Sequence, residues 1–265
     1  MTGLSTIPLR RTVTVVLVAI LAVPTIFVVV ASFGGSREIA FPPHSFTLHW
    51  YSKVVGDSQT WTTLSHSLVA ALVAALVSAL AGVPAAIGLS RVGARMRVVL
   101  ALVLSAGLSA PPIIAAFGFY DVFSRLNIAG LLLLGVALGI VNFPFMLWAV
   151  SSALEDEDPE LLSAAATLGA DPVEQFLFVR LPLIMPGVMT GTLLVFVLSL
   201  TDFVVSQVLT NVGDQTLAVF VYSSLRATIS PALGASSAVF IAIAAAAFFL
   251  VLRFGRMERF LFRRG

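Results

Sequence analysis

Glu155-Asp-Glu-Asp-Pro-Glu-Leu-Leu-Ser-Ala-Ala-Ala-Thr-Leu-Gly-Ala-Asp-Pro-Val-Glu-Gln-Phe-Leu-Phe-Val-Arg-Leu-Pro182 is a charged stretch in an otherwise apolar chain. It holds seven of the 13 acidic residues: Glu155, Asp156, Glu157, Asp158, Glu160, Asp171 and Glu174. Asp158 followed by Pro159 reads as an N-cap before a first-position proline, and Glu160 complements the positive end of the helix that follows. Leu161 to Leu168 is a good helix former, and Gly169 can take the left-handed conformation that stops it. Asp171-Pro172 repeats the start signal, with Glu174 at the capping-box position. The stretch therefore reads as a short helix, a glycine break and a second helix running into Leu181-Pro182.

On both sides the chain is apolar. Residues of the AVILMFWYC set make up 59% before the 19 glycines are counted. That already exceeds the roughly 45–50% of a soluble domain with glycine included. Charged residues are 11%, against about 25%. So few charges cannot cover so much apolar surface in water, which makes this an all-α integral membrane protein. There is no cysteine, so disulfides, zinc-thiolate sites and thiol nucleophiles are excluded. The net charge is +2, and five of the 15 basic residues fall in the last 13 positions, as in a membrane-flanking tail. A nucleic-acid groove is not indicated.

A helix needs about 20 apolar residues to cross the hydrocarbon of a bilayer. Uncharged runs 12–36, 58–90, 98–120, 126–154, 181–201 and 227–252 meet that length. They predict six transmembrane helices near 13–33, 66–89, 98–119, 129–150, 184–204 and 235–252, in one transmembrane domain covering 1–265. The remaining runs, 203–213 and 215–225, are too short to span and read as re-entrant or interfacial. With the amino terminus inside, inner segments carry Arg10, Arg11, Arg91, Arg95, Arg97, Arg180, Arg253, Arg256, Arg259, Arg263 and Arg264. Outer ones carry only Arg37, Lys53, Arg125 and Arg226. The bias is positive-inside, so both termini and the 155–182 loop are expected in the cytoplasm. Arg10-Arg11 could introduce a secretory signal, but the apolar run after it is too long, and an uncleaved first helix is the better reading.

Small residues recur at helical spacing through Ser67–Gly82, which suits close helix packing within the bundle better than a subunit interface. Pro84 and Pro144 are candidate kinks. His44, His49 and His66 read as ordinary surface or interface histidines, and no metal site is expected. The one lysine, Lys53, has no glycine in the five residues before it, so there is no phosphate-binding loop. No G-x-S-x-G or H-E-x-x-H is present either. The chain is expected not to be an enzyme.

Held outside the bilayer, a helix bearing Leu161, Leu162, Ala165 and Leu168 has two readings on pattern alone. It docks on a partner, or it lies against the inner surface of its own protein. Asp202, some 18 residues into the fifth span, could receive an ammonium group, reach interfacial water or cap the 203–213 segment. Tyr120 and Asp121 offer a second carboxylate beside an aromatic ring, with solvation in an outer loop the plainer role. Trp148 and Tyr222 suit interfacial anchoring.

Ser163-Ala-Ala-Ala-Thr-Leu-Gly169, nine residues, then Val179-Arg-Leu-Pro182 resembles the EAA loop of ABC importer permeases. That signature runs E-A-A, three residues, G, nine residues, I-x-L-P. Ala164, Ala165, Gly169, Leu181 and Pro182 match by identity and Val179 conservatively. Ser163 stands where the family usually has Glu, and Glu160 lies one turn earlier. Phe41-Pro-Pro-His-Ser-Phe-Thr-Leu-His-Trp-Tyr51, Ser67 through Arg91, Leu198-Ser-Leu-Thr-Asp-Phe-Val-Val-Ser206, and Thr216–Tyr222 with Ile229-Ser-Pro231 resemble the spermidine/putrescine (PotC-like) permeases. The resemblance covers about 40–260.

It implies a type I importer (MetI-like) permease fold with a coupling-helix loop, in a bacterial inner membrane. It also implies a second homologous permease, two ATPase subunits that bind ATP and magnesium, and an external substrate-binding protein. Coupling to the ATPase would fall to Glu160, Leu161, Leu162, Ser163, Ala164, Ala165, Leu168, Gly169, Leu181 and Pro182. The cargo implied is a polyamine, with ferric iron, thiamine or a related cation as alternatives. From other classes, an ion-coupled secondary transporter would need mid-membrane ionisable residues or broken helices, and a membrane scaffold would bind a partner without moving any substrate.

Overall fold

A computed structural model describes residues 6–36, 41–126, 130–155, 157–227, 232, 234–246 and 249. The described residues are helical apart from turns, loops and one isolated antiparallel bridge, Gly34 to Phe46. The elements are α1 (Thr6–Ala31), α2 (His49–Gly56), α3 (Ser58–Ser90), α4 (Ala94–Ser105), a 3-10 turn (Ala106–Ser109) and α5 (Pro112–Arg125). Then come α6 (Leu131–Glu155), α7 (Pro159–Thr167), the single turn α8 (Pro172–Glu174), a π turn (Gln175–Arg180) and α9 (Leu181–Leu200). The last are α10 (Val204–Leu209), α11 (Leu217–Ala227) and α12 (Gly234–Ala246). Contacts divide the chain into two compact units, Met1–Trp61 with Phe220–Ile243, and Thr62–Val219 with Ala244–Gly265.

Five of the six expected spans correspond to helices or helix pairs long and apolar enough to cross, if the bent third counts as one. α1, α3, α6 and the continuous helical run Pro172–Leu200 each qualify alone. The third does not hold as a straight helix over 98–119. Ala94–Ser109 and Pro112–Arg125 meet at 92°. Two adjacent prolines account for this: Pro111 has no N–H to continue the helix, and Ala110 before it is driven to extended backbone, at ψ 136°. Of the sixth, Gly234–Ala246 is helical and the remainder of 235–252 lies largely outside the described residues. α3 starts at Ser58 rather than 66 because Asp57 Oδ2 accepts from Thr60 N at 3.0 Å and from its hydroxyl at 2.7 Å. That is an N-cap. The short runs after Leu200 form α10 and α11.

The larger unit is organised on α3, α6 and α9. Ala70, Ala71, Ala74, Ala75 and Ser78 of α3 are buried. Against them lie Gly135 and Gly139, a small-xxx-small pair on α6. A β-carbon at Gly139 would come within 2.9 Å of the Ala74 carbonyl oxygen, and one at Gly135 within 2.9 Å of that of Ala70. The Ser78 hydroxyl donates to the Gly139 carbonyl at 2.6 Å. The small-residue stripe of α3 thus packs inside the chain. α9 approaches α6 in the same way: a β-carbon at Gly187 would sit 2.7 Å from the Ala149 carbonyl oxygen, and Asn142 donates to Ser199 at 3.1 Å. Pro84 and Pro144 lie inside helices that continue past them. Val69, Leu72, Leu76 and Leu80 leave the opposite face of α3 exposed and apolar.

In the smaller unit the chain turns back at the end of α1. Gly35 N donates to Ser45 O at 3.1 Å and Thr47 N to Phe33 O at 2.8 Å. Trp50 Nε1 donates to Gly34 O at 2.8 Å, and Tyr51 shares a 2.6 Å hydroxyl bond with Ser32.

Candidate functional site

Every local signal in the 155–182 stretch is used. The Asp158 side chain accepts from Glu160 N at 3.0 Å and starts α7. At its other end Gly169 has φ +92°. Gly169 N donates to Ala166 O at 3.0 Å and Ala170 N to Ala165 O at 3.1 Å. These are the two reverse bonds of a Schellman stop, which satisfy the last carbonyls of the helix. Asp171 then accepts from Val173 N and Glu174 N, both at 2.8 Å, while Glu174 Oε2 accepts from Asp171 N at 3.0 Å. That is the complete capping box. These caps and the glycine stop tie the described loop backbone into a defined shape.

The apolar face read from the sequence divides in two. Leu162 and Ala165 are half-buried, turned toward their own protein. Leu161 is 45% exposed and Leu168 88%. Glu160, Ser163, Ala164 and Gly169 are exposed, as is Pro182, whereas Leu181 is half-buried. Val173, Leu177 and Phe178 add exposed apolar surface beyond the glycine stop. One short helix thus has a side turned toward its own protein and a side left exposed.

Two features went unread in the sequence. Residues 175–180 form a π turn, closed by Leu181 N donating to Phe176 O. Its cause is Pro182, which lacks an N–H and crowds the carbonyl four residues back, so the helix widens there. The second is an ion pair across the neck of the loop. Arg180 Nε donates to both carboxylate oxygens of Glu157, at 3.0 and 3.1 Å. The side chains are 15% and 6% exposed. The available signal was scarcity: Arg180 is the one basic residue between Arg125 and Arg226, facing a run of acids at the loop's start.

The carboxylates away from the loop are differently placed. Asp202 Oδ1 accepts from Ser206 N at 2.9 Å and from its hydroxyl at 3.2 Å, holding the first turn of α10. Asp121 is paired with Arg125 one turn on, at 3.0 Å and largely exposed, and Tyr120 beside it is exposed. α10 packs on α5, and Val205 and Ala116 are both fully buried in the core cluster. His66 Nδ1 lies 3.1 Å from the Gln215 carbonyl oxygen, and Ser67 Oγ accepts from Leu217 N at 2.9 Å, so α3 holds the segment before α11. His44 and His49 are exposed.

Residues 78–264 match the family described as binding-protein-dependent transport system inner membrane component. The chain is 28% identical over 220 residues to the putrescine transport system permease protein PotI of Escherichia coli K12, covering 80% of this chain and 78% of that one. It is 29% identical over 234 residues to the spermidine/putrescine transport system permease protein PotC of the same organism, covering 85% of each. Among solved structures, a chain of a bacterial ABC transporter involved in import of the acidic polysaccharide alginate superposes with a TM-score of 0.70. It covers 96% of this chain and 99% of its own, at 17% identity. A chain of the inward-facing MetNI methionine ABC transporter gives 0.64, covering 77% and 99% at 18% identity. At those identities the likeness is one of fold.

Proposed function

We propose, from the premise that the chain belongs to the family of binding-protein-dependent transport system inner membrane components, that it moves polyamines of the spermidine/putrescine class through half of an importer's pathway. It is an ABC importer permease with the type I, MetI-like fold. By family it works with ATPase subunits in partner chains and with a substrate-binding protein. The cargo assignment is supported by the names of its relatives PotI and PotC, which align over most of the chain.

The observation that carries the mechanistic part is the loop. A fixed helix–glycine–helix unit presents Leu161, Leu168 and Val173 outward while Leu162 and Ala165 fasten it to the permease. In our reading this face receives one of two ATPases in the cytoplasm, with a second, homologous permease presenting the other. Both chain termini then lie on that side, and ATP and magnesium are bound by the ATPases. Coupling follows from differential binding: ATP-bound subunits that hold the loop more tightly in one permease state shift the population toward it. Asp202 is the carboxylate we assign to the substrate pathway. Asp121 already has its charge met by Arg125.

The test is uptake of labelled putrescine and spermidine by transport-deficient cells. They would express this chain with its partner permease, ATPase and binding protein, beside a Gly169→Asp control. Uptake lost in the control supports cargo and loop together. An assembled complex that hydrolyses ATP yet moves neither polyamine refutes the cargo assignment, and ferric iron and thiamine are next on the panel.

A further inference from the structure

The loop leaves α6 and returns to α9 through a neck, and the neck is closed by one ion pair. Glu157 lies just after α6, and Arg180 is the last residue of the π turn, 23 positions later. Both side chains are nearly buried, beside a loop whose other charged residues are exposed where described. Between these two residues, backbone bonds and caps make α7, the Schellman stop and the capping box one hydrogen-bonded body. That body joins the membrane helices by Glu157 and its neighbours on one side and by the widened π turn on the other.

A π turn is a weak link along a helix, since its bonds are longer-looped and it occurs as single turns. Left alone, it would bend when α7 is loaded. We propose that Glu157 and Arg180 are positioning residues for coupling: their ion pair clamps the neck, so that displacement of α7 reaches α6 and α9 rather than being absorbed in the π turn. This rests on the reading of the loop as the ATPase-facing connector. It assigns the clamp to the side of the loop away from the exposed face, so neither residue needs to touch the ATPase.

The experiment uses the assembled complex in proteoliposomes, with Glu157→Gln and Arg180→Gln as single variants and the exchange Glu157→Arg with Arg180→Glu as the rescue. Assembly with the ATPase and ATP hydrolysis are expected to survive in the single variants, while cargo moved per ATP falls about tenfold or more, within the usual span of coupling free energies. The exchange should recover a substantial part of that ratio. A purely structural anchor would lower the yield or thermal stability of the complex and leave the ratio per assembled complex unchanged, which overturns the proposal.

Should the single variants not assemble, Glu157→Cys with Arg180→Cys in this cysteine-free chain, joined by a reducible bifunctional thiosulfonate, carries the same measurement. Coupling is expected when linked and lost on reduction. Equal coupling in both states, or activity only after reduction, overturns the clamp. A readout independent of cargo keeps the two readings apart: ATP-dependent change in maleimide labelling at Val212→Cys, an exposed position. If the chain carrying Val212→Cys alone shows the change but no polyamine uptake, the cargo reading fails alone. If Glu157→Gln combined with Val212→Cys keeps the full change, the clamp fails alone.

Discussion

Gly169 is the position where one β-carbon has the clearest consequence. At φ +92° an L side chain is strained, yet no atom lies within 4 Å of where its β-carbon would sit. Gly169→Ala is therefore expected to destabilise the loop by about 1–2 kcal/mol through backbone conformation alone, with no clash. Thermal unfolding of the whole permease should move little, because the core helices are untouched, whereas ATP-driven uptake should drop. A large fall in melting temperature with uptake intact would contradict this. Asp202 invites the opposite experiment. Asp202→Asn keeps an oxygen to accept from Ser206 N but removes the charge. We expect KM for polyamine to rise about tenfold, the value of a lost charged hydrogen bond, with kcat kept. An unchanged KM assigns Asp202 to capping alone, and Asp202→Ala should then cost about 1 kcal/mol of stability.

Among the elements, α3 and α6 are held at a distance that only glycine permits. Gly139→Ala would set a β-carbon 2.9 Å from the Ala74 carbonyl oxygen and 3.0 Å from Val77 Cβ, and it would disturb the carbonyl that Ser78 bonds. Overpacking of this kind costs about 1–3 kcal/mol. Gly118→Ala on α5, with nothing within 4 Å, should be neutral or slightly stabilising. Thermal melts of both in one detergent would show whether the small-residue seam is as tight as its geometry. The contrast also shows what a sequence reveals. The stripe on α3, both caps of the loop and its glycine stop were legible, because each is a short-range pattern with one physical meaning. The break at Pro111–Pro112 is not visible in an uncharged run, which measures hydropathy and not backbone continuity. The Glu157–Arg180 pair was invisible for a different reason: it joins residues 23 apart, through a π turn that no periodicity announces.

At the scale of the whole molecule, charge bias and loop geometry make one joint claim about sidedness. Arginine is concentrated near the two ends of the chain and at 91–97, with Arg180 alone in the 155–182 loop, and basic flanks are expected to stay in the cytoplasm. Val173 is 62% exposed in that loop, and Val212 is 82% exposed in the segment between α10 and α11. The two positions fall at opposite ends of the Pro172–Leu200 span, so a membrane-impermeant reagent should reach them from opposite sides. In a chain with no cysteine, Val173→Cys and Val212→Cys give single, clean labels. Intact cells should label Val212→Cys at once, and Val173→Cys only after permeabilisation. Coexpressing the ATPase should then slow labelling at Val173→Cys and at Leu168→Cys, but not at Val212→Cys, because a docked subunit covers the exposed connector and nothing on the far side. Labelling of Val173→Cys in intact cells would invert the topology and with it the assignment of the loop. Correct sidedness without protection would leave the orientation standing and place the ATPase contact elsewhere on the cytoplasmic surface.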